Sequence, residues 1–382
     1  MIIVHVLNCL IVGGLEKVVV DICNTIDLNE NKVFIITLSD KDLTLSPKLD
    51  KDIEVISLPF KNDTLLSLLL FWIFGIPKLI RIINNIKPDI VHSHLYYHYL
   101  FFLSLSLKFS KVKPVSFRTV HTSGLFYSSK ALLNRFRCQI EKFSLRIYPT
   151  YLISISKIIF NNNDRLFSKV AVGNRLIPNG INLTTFSKLN YTHIKKNDFG
   201  LQDDCMIVSY VSRLDNGKNH VCLLNAWKEV LKFFPDSHLC LAGDGVLKRE
   251  LMDYVKLLDI DHKVSFLGTI NNVSSLLSIT DIAVFPSQFE GFPLSLIEEM
   301  AMGLPVITSD IDIFKEVIVN NENGIICNVN DPNDYADKLI KLMREKDLRN
   351  KIGNEAKETA KKFDIKRIVN ETLHFYEEAL SI

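Results

Sequence analysis

Short apolar runs separated by polar turns recur along the chain, and most are continuous rather than alternating. Ile2 to Leu7, Val33 to Leu38, Ile53 to Leu58, Val115 to Val120 and Ile153 to Ser156 read as strands in the first half. Met206 to Val211, His238 to Ala242, Val264 to Gly268, Ile282 to Phe285 and Val306 to Thr308 do so in the second. Continuous runs bounded by turns predict strands buried on both faces, as parallel sheets require. Segments such as Val18 to Ile22 and Leu294 to Met302 alternate with them as helices, which predicts an α/β protein built from parallel-strand units. Leu65 to Ile83 stands apart: Leu65, Leu66 and Leu68 to Phe74 are nearly unbroken, until Gly75, Pro77 and Lys78 interrupt them. That run is too short for a membrane span; a buried helix is expected, with a helix lying in the membrane interface as the alternative. After Asn330-Asp331-Pro332 come two polar helices, and the last, Ile365 to Leu380, is expected to return to the first domain.

The stretch from Asp281 to Ser309 organises the chemistry. A strand (Ile282 to Phe285) leads into turn residues Pro286 to Gly291, then Pro293, suited to a first helical position. A short helix follows, Gly303 stops it, and Val306-Ile307-Thr308 starts the next strand. In an open parallel sheet the loop at the strand's carboxyl end is where ligands sit. It holds Glu290, and Glu298 lies about a turn inside the helix, with the backbone N–H groups of residues 291–295 between them able to donate to phosphate or sugar oxygens. Eight helical residues span roughly 12 Å, whereas a glycosidase pair needs roughly 5–9.5 Å between carboxyl groups. The two carboxylates therefore suit two parts of one extended ligand. For Glu298 alone, a solvated helix face is the competing reading.

Other strand ends carry further candidates. Gly13-Gly14-Leu15-Glu16 follows the first strand, where glycines let backbone approach a ligand at a helix start. His5 within that strand is expected to be a satisfied core histidine. The strand Val115 to Val120 delivers His121 to its carboxyl end, followed by Thr122-Ser123-Gly124. Met206 to Val211 leads to Arg213 and Lys218, a bidentate fork and a point charge suited to phosphate. Gly243-Asp244-Gly245 lacks the third glycine of a dinucleotide fingerprint. Asp259-x-Asp261 and Asp310-x-Asp312 have no nearby histidine or third carboxylate, so no metal site is assigned.

The chain has 382 residues, 47% hydrophobic and 23% charged, enough for two soluble α/β domains. Its net charge of +2 hides an asymmetry: residues 64–182 carry 16 Lys and Arg against 3 Asp and Glu. Part of this lies at Lys130, Arg135, Arg137, Lys142 and Arg146, opposed only by Glu141; the alternatives are a solvated helix face and contact with phosphate or lipid. No nucleic-acid motif accompanies the excess, and its interleaving with apolar runs fits an anionic membrane surface better. Seven cysteines without a C-x-x-C exclude a disulfide framework or zinc site and favour a reduced, cytoplasmic setting. The N-terminus, MIIVHVLNCLIVGG, reads as a first strand rather than a signal peptide.

Glu290 and Glu298, within FPSQFEGFPLSLIEEMAMGLPVITSD, form an E-x7-E pattern that resembles the signature of family 4 glycosyltransferases of the GT-B fold. Gly13-Gly14-Leu15-Glu16, Pro88 to His94, Arg175 to Ile181 and Gly243-Asp244-Gly245 also resemble family segments. The resemblance is densest over 206–309 and thinnest over 60–85 and 100–150. It implies two doubly wound Rossmann-like domains facing across a cleft: residues 1–182 binding acceptor, 183–364 binding donor, and 365–382 packing back on the first. It implies retaining transfer of a sugar from a nucleotide-diphosphate sugar, UDP-linked by expectation, to a glycan or lipid-linked acceptor, with no cofactor or metal. Glu290 and the backbone of Gly291, Phe292, Pro293 and Leu294 would contact the donor sugar, and Glu298 the ribose. Arg213, Lys218 and the Gly14 backbone would stabilise the diphosphate, Gly243 would lie beside the nucleotide, and His121 would approach a sugar. The enzyme would be cytoplasmic, or peripheral on the inner face of the membrane. Alternatives are a phosphorylase or epimerase of the same fold and a catalytically idle sugar-nucleotide or polysaccharide-binding subunit.

Overall fold

The computed structural model describes residues 1–11, 13–39, 44–58, 71–121, 132–270 and 272–382. They form two compact units, Met1–Gly180 with Ile365–Ile382, and Ile181–Asp364.

The first unit runs β1 (Ile2–Leu7), α1 (Gly14–Thr25), β2 (Lys32–Thr37), β3 (Glu54–Ser57), α2 (Ile76–Ile86), β4 (Ile90–Ser93), α3 (Tyr97–Phe109), β5 (Val115–Val120), α4 (Leu132–Ile147), β6 (Thr150–Ser154), α5 (Lys157–Phe167) and β7 (Gly173–Leu176). Its strands pair in parallel in the order β3-β2-β1-β4-β5-β6-β7. β1 and β4 are buried almost throughout, which is why their sequences are continuous apolar runs. β7 has no such run because it is an edge strand, every residue of it half-exposed, and the sequence pattern misses it.

The helix expected over Leu65 to Ile83 is present throughout its described residues, 71–83. Phe71–Gly75 forms a π-helical turn and α2 follows. Pro77 has no N–H to give the preceding turn, so the ladder changes register there. Residues 65–70 lie outside the described residues. No helix among the described residues is long and apolar enough to cross a membrane.

The second unit repeats the plan: β8 (Ile207–Val211), α6 (His220–Leu231), β9 (His238–Ala242), α7 (Lys248–Leu257), β10 (Val264–Gly268), α8 (Val273–Ile279), β11 (Ile282–Phe285), α9 (Leu294–Ala301), β12 (Val306–Ser309), α10 (Asp312–Lys315), β13 (Ile325–Cys327), α11 (Pro332–Arg344) and α12 (Lys346–Ala360). Its parallel order is β10-β9-β8-β11-β12-β13. In both sheets the strand order reverses beside the first strand, at β1/β4 and at β8/β11. Loops leaving those strands diverge there and open a crevice for ligand.

The terminal helix α13 (Ile365–Leu380) belongs to the first unit. Phe375 and Tyr376 set their rings 5.1 and 4.7 Å from that of Phe117 on β5. At the crossing, a side chain on Gly180 would sit 2.8 Å from the Ile365 backbone, so the turn Pro178-Asn179-Gly180 must end in glycine.

Candidate active site

At the reversal point of the second sheet, the loops after β8 and β11 bring two predicted residues together. Lys218 Nζ lies 2.6 Å from Glu290 Oε1, both side chains largely shielded from solvent. Ser287 donates its hydroxyl to the same Oε1 at 2.7 Å, and Ser287 Oγ lies 2.8 Å from the Tyr210 hydroxyl. Tyr210 also donates to the Lys218 carbonyl at 3.0 Å. Burial, and then the Glu290 charge, push the Tyr210 phenol pKa up, so it stays a neutral donor. Ser287 and Tyr210 thus orient the ion pair, and the sequence reading did not single out either one. Their signal was positional: Ser287 follows β11 by two residues, and Tyr210 is the one tyrosine in the β8 run.

Lys218 and Arg213 were expected to share one anion. Instead Arg213 turns outward, its side chain 81% exposed and its guanidinium 3.1 Å from Asp215. Its loop is held by the neighbouring Gly243-Asp244-Gly245 turn. Ser212 N–H bonds Ala242 O at 2.9 Å, Leu214 N–H bonds Asp244 O at 3.0 Å, and Leu247 N–H bonds Leu214 O at 3.0 Å. A Cβ at Gly243 would meet Ser212 O at 1.9 Å, and Gly243 has φ 139. A Cβ at Gly245 would meet Leu214 O at 2.3 Å. Both glycines are therefore required by the close approach of two backbones.

The amide cradle after Glu290 is smaller than the sequence suggested. α9 begins at Leu294, as the sequence reading had it, with Pro293 as its N-cap. Pro293 (φ −85, ψ 71) is the centre of an inverse γ-turn in which Leu294 N–H bonds Phe292 O at 3.0 Å. Pro293 has no N–H and that of Leu294 is used, which leaves the Gly291, Phe292 and Ser295 amides as donors. Glu298 is 7% exposed, which removes the solvated-face reading. Glu299 beside it is wholly buried, with neither carboxyl oxygen hydrogen-bonded among the described residues. Of the Asp pairs, Asp310 accepts the Val329 N–H at 3.1 Å, and Asp259 occupies a left-handed turn position (φ 59).

In the first unit, Gly14 opens α1, whose N-cap, Gly13, leaves the first amides without a side-chain cap. A Cβ at Gly13 would meet the Glu16 carboxylate at 2.3 Å, so that glycine makes room for Glu16. His121 stands just past β5, and its Nε2 lies 3.0 Å from His94 Nδ1. His94 Nε2 in turn lies 3.1 Å from His5 Nδ1. His92 is held separately, by Tyr376 at Nδ1 and by Thr119 at Nε2, the latter at 2.7 Å. Nitrogens of His5, His92 and His94 lie within 4.8 Å of one another, but hydrogen bonds already engage both ring nitrogens of His92 and His94. His5 is buried as expected, yet its Nε2 has no partner among the described residues. His94 and His5 were missed as partners of His121. The cue was the spacing His92-x-His94, the first on β4 and the second just past its end, beside His5 on β1, which puts all three rings on one face. Thr122-Ser123-Gly124 and Lys130 lie outside the described residues.

Burial lowers the His121 pKa to about 3, with Arg118 adding to it, and that of His5 to about 4. Burial and neighbouring rings push His92 and His94 well below the usual value. Each ring is therefore neutral with one N–H, and the chain His5–His94–His121 donates in a single direction. Depressed histidine pKa values mean that the unfolded state binds more protons below about pH 6.5. The first unit should then lose stability as pH falls through 6.5 toward the folded pKa values, by up to about 1.4 kcal/mol per pH unit per histidine. Urea unfolding at pH 7 and pH 5 should show this loss, and His5→Leu should reduce it. Equal pH sensitivity in wild type and variant would show that His5 titrates normally.

Sequence and structure comparisons place this geometry. Residues 192–359 match the family described as glycosyl transferases group 1, and residues 12–185 match glycosyltransferase family 4. The chain belongs to the family 4 glycosyltransferases. This glycosyltransferase is 26% identical over 308 residues to N-acetyl-alpha-D-glucosaminyl L-malate synthase of Bacillus anthracis, covering 79% of this chain and 78% of that one. It is 33% identical over 179 residues to the N-acetylgalactosamine-N,N'-diacetylbacillosaminyl-diphospho-undecaprenol 4-alpha-N-acetylgalactosaminyltransferase of Campylobacter jejuni, covering 47% and 48%. The Anabaena HepE structure in complex with UDP and glucose matches its fold with a TM-score of 0.81 at 16% identity, covering 98% and 99%. The GT-B architecture inferred from the sequence is thereby shown, as is glycosyltransferase activity.

Proposed function

We propose that this enzyme transfers a sugar from a UDP-sugar to a lipid-linked or glycan acceptor with retention of configuration, without a metal, at the cytoplasmic face of a membrane. The observation that carries the donor side is the Lys218–Glu290 pair, oriented by Ser287 and Tyr210 at the reversal of the second sheet. Lys218 and Arg213 supply positive charge for a diphosphate, the Gly291 and Phe292 amides meet the sugar, and Glu298 holds the ribose. As the anomeric C–O bond to the diphosphate breaks, an acceptor hydroxyl attacks from the same face. Its proton passes to the departing phosphate oxygen, and Glu290 supports positive charge at the anomeric carbon. His121 lies on the first unit's ligand edge and is assigned to a sugar hydroxyl. The HepE complex with UDP and glucose and the undecaprenol-linked substrate in the Campylobacter enzyme's name support the donor and acceptor classes. Incubation with a panel of nucleotide sugars and lipid-diphosphate glycans, with product mass as readout, tests the reading. Donor binding without any product would reduce the chain to a binding subunit.

Transfer should persist in chelator, because Lys218 and Arg213 would take the role that a metal plays at the diphosphate. Loss of activity restored by manganese or magnesium would overturn this. The basic excess over 64–182 should also draw the enzyme to anionic bilayers, at about 1 kcal/mol per residue near the surface. Sedimentation with anionic and neutral vesicles at low and high salt reads it, and equal, negligible binding to both would remove it.

A further inference from the structure

Between the π-helical turn, α3 and α4, the first unit holds an aromatic slot. Trp72 on the π-helical turn, Phe101 and Phe102 on α3, and Ile140 and Phe143 on α4 enclose a cavity of about 390 Å³, with only His98 and Gln139 as polar lining. The Trp72 ring sits 4.0 Å from Phe102 and 5.1 Å from Phe101, and Phe101 sits 5.8 Å from Phe143. The volume lies at the small end of the roughly 300–1,000 Å³ that ligand cavities span. Its walls reach solvent, with Phe143 53% and Trp72 37% exposed. An apolar slot that opens to water is a liability for a protein unless something fills it.

Charge beside the slot says what fills it. On α4, Arg135, Lys142 and Arg146 form one stripe, and helical spacing puts it next to the stripe of Phe136, Ile140 and Phe143. Arg137 flanks the slot from the other side, one helical turn before the lining residue Ile140 on α4, and its charge adds to burial in lowering the His98 pKa. A bare hydrocarbon would need no cation, and a free anion would need no aromatic walls. We propose that the slot binds the first isoprenoid units of a polyprenyl-diphosphate acceptor, with Arg137 beside the diphosphate. This rests on the lipid-linked acceptor of the proposed function, and it gives that acceptor's chain a protein seat separate from the bilayer.

The chain carries its own reporter. It has two tryptophans, and Trp227 is wholly buried in the second unit, so a ligand in the slot is read by Trp72 alone. Farnesyl diphosphate, titrated below its micelle concentration, should shift Trp72 emission to the blue and saturate, and Trp72→Phe should erase the signal. Inorganic diphosphate should give no shift. Phe143→Glu, on an exposed position that the fold tolerates, should weaken farnesyl diphosphate at least tenfold. Arg137→Gln should weaken farnesyl diphosphate several-fold and leave farnesol unchanged. The proposal is overturned if farnesyl diphosphate causes no saturable shift, or if Phe143→Glu leaves its affinity unchanged. It is overturned equally if only anionic vesicles shift the emission, which would make the face a bilayer contact, or if the shift follows protein concentration, which would make it a self-association surface. Turnover of UDP-sugar, measured alongside, keeps the two readings apart. Donor turnover without chain binding sinks only the slot, and chain binding without donor turnover sinks only the proposed reaction.

Discussion

Lys218→Ala is expected to lower kcat by two to three orders of magnitude, with a smaller change in donor affinity. Two effects act together. The departing diphosphate gains negative charge as the glycosidic bond breaks, so a fixed cation interacts more strongly with the transition state than with bound donor. Removing one preorganised group at such a site costs about 2.7–4 kcal/mol. In addition, the variant removes the 2.6 Å contact that fixes the Glu290 carboxylate, so the group that should face the anomeric carbon loses its orientation. Lys218→Arg keeps charge but changes its shape and should recover only part of the rate. Glu290→Gln should lower kcat as well. The double variant Lys218→Ala/Glu290→Gln should be far from additive, because the residues act as one unit. Arg213→Ala is expected to lose less, about a hundredfold. Its side chain is 81% exposed before donor arrives and must be reorganised to act, whereas Lys218 is already in place. Arg213→Lys should restore part of that loss. Glu298→Ala should chiefly raise the donor KM, since ribose contacts change little during reaction. Steady-state constants for this series decide the assignment. If Lys218→Ala kept kcat within threefold of wild type and raised only KM, the leaving-group role would be wrong.

How much of this was legible beforehand follows from what each residue depends on. Strands buried on both faces announce themselves as apolar runs, so β1, β5, β9 and β11 stand in the sequence nearly as they do in the structure. β7 was invisible because an edge strand with half-exposed residues needs no apolar run, only a neighbour to bond. Among the candidate residues, Glu290, Lys218 and Gly243 stood out because turn chemistry and strand ends mark the loops at a sheet's carboxyl edge. Their partners were not found, since the contacts Ser287–Glu290 and Tyr210–Ser287 depend on β8 and β11 being adjacent. That adjacency is a property of sheet order, which no local pattern encodes. The chain His5–His94–His121 is hidden for the same reason, its links spanning three neighbouring strands of the other sheet. Pro293 marked the start of the helix at Leu294, but the three-residue turn centred on it was not legible, since it depends on the Leu294 N–H turning back to Phe292 O.

Glu299→Met is expected to raise the stability of the second unit, and to do so more at pH 8 than at pH 5. Glu299 is wholly buried on α9, and neither carboxyl oxygen has a hydrogen-bond partner among the described residues. Burial, and then the charge of Glu298, push its pKa well above the usual carboxylate range. The folded state therefore holds a proton that the unfolded chain releases above about pH 4.3. Where the folded state binds more protons than the unfolded state, stability falls as pH rises, and it falls until the folded group ionises. Wild type should show that decline from near the unfolded pKa upward, and the methionine variant should lack it. Even with the carboxyl neutral, an unpaired buried polar group costs about 1–3 kcal/mol, and methionine fills a similar volume without that penalty. The gain should appear as a rise of roughly 2–4 °C or more in the unfolding temperature of this unit. Glu299→Gln should give less, because the amide keeps polar atoms unpaired while removing the ionisation. Thermal unfolding of the three proteins at pH 5 and pH 8 reads both the size and the pH dependence. A methionine variant less stable than wild type at both pH values would mean that Glu299 is hydrogen-bonded after all, by a buried water.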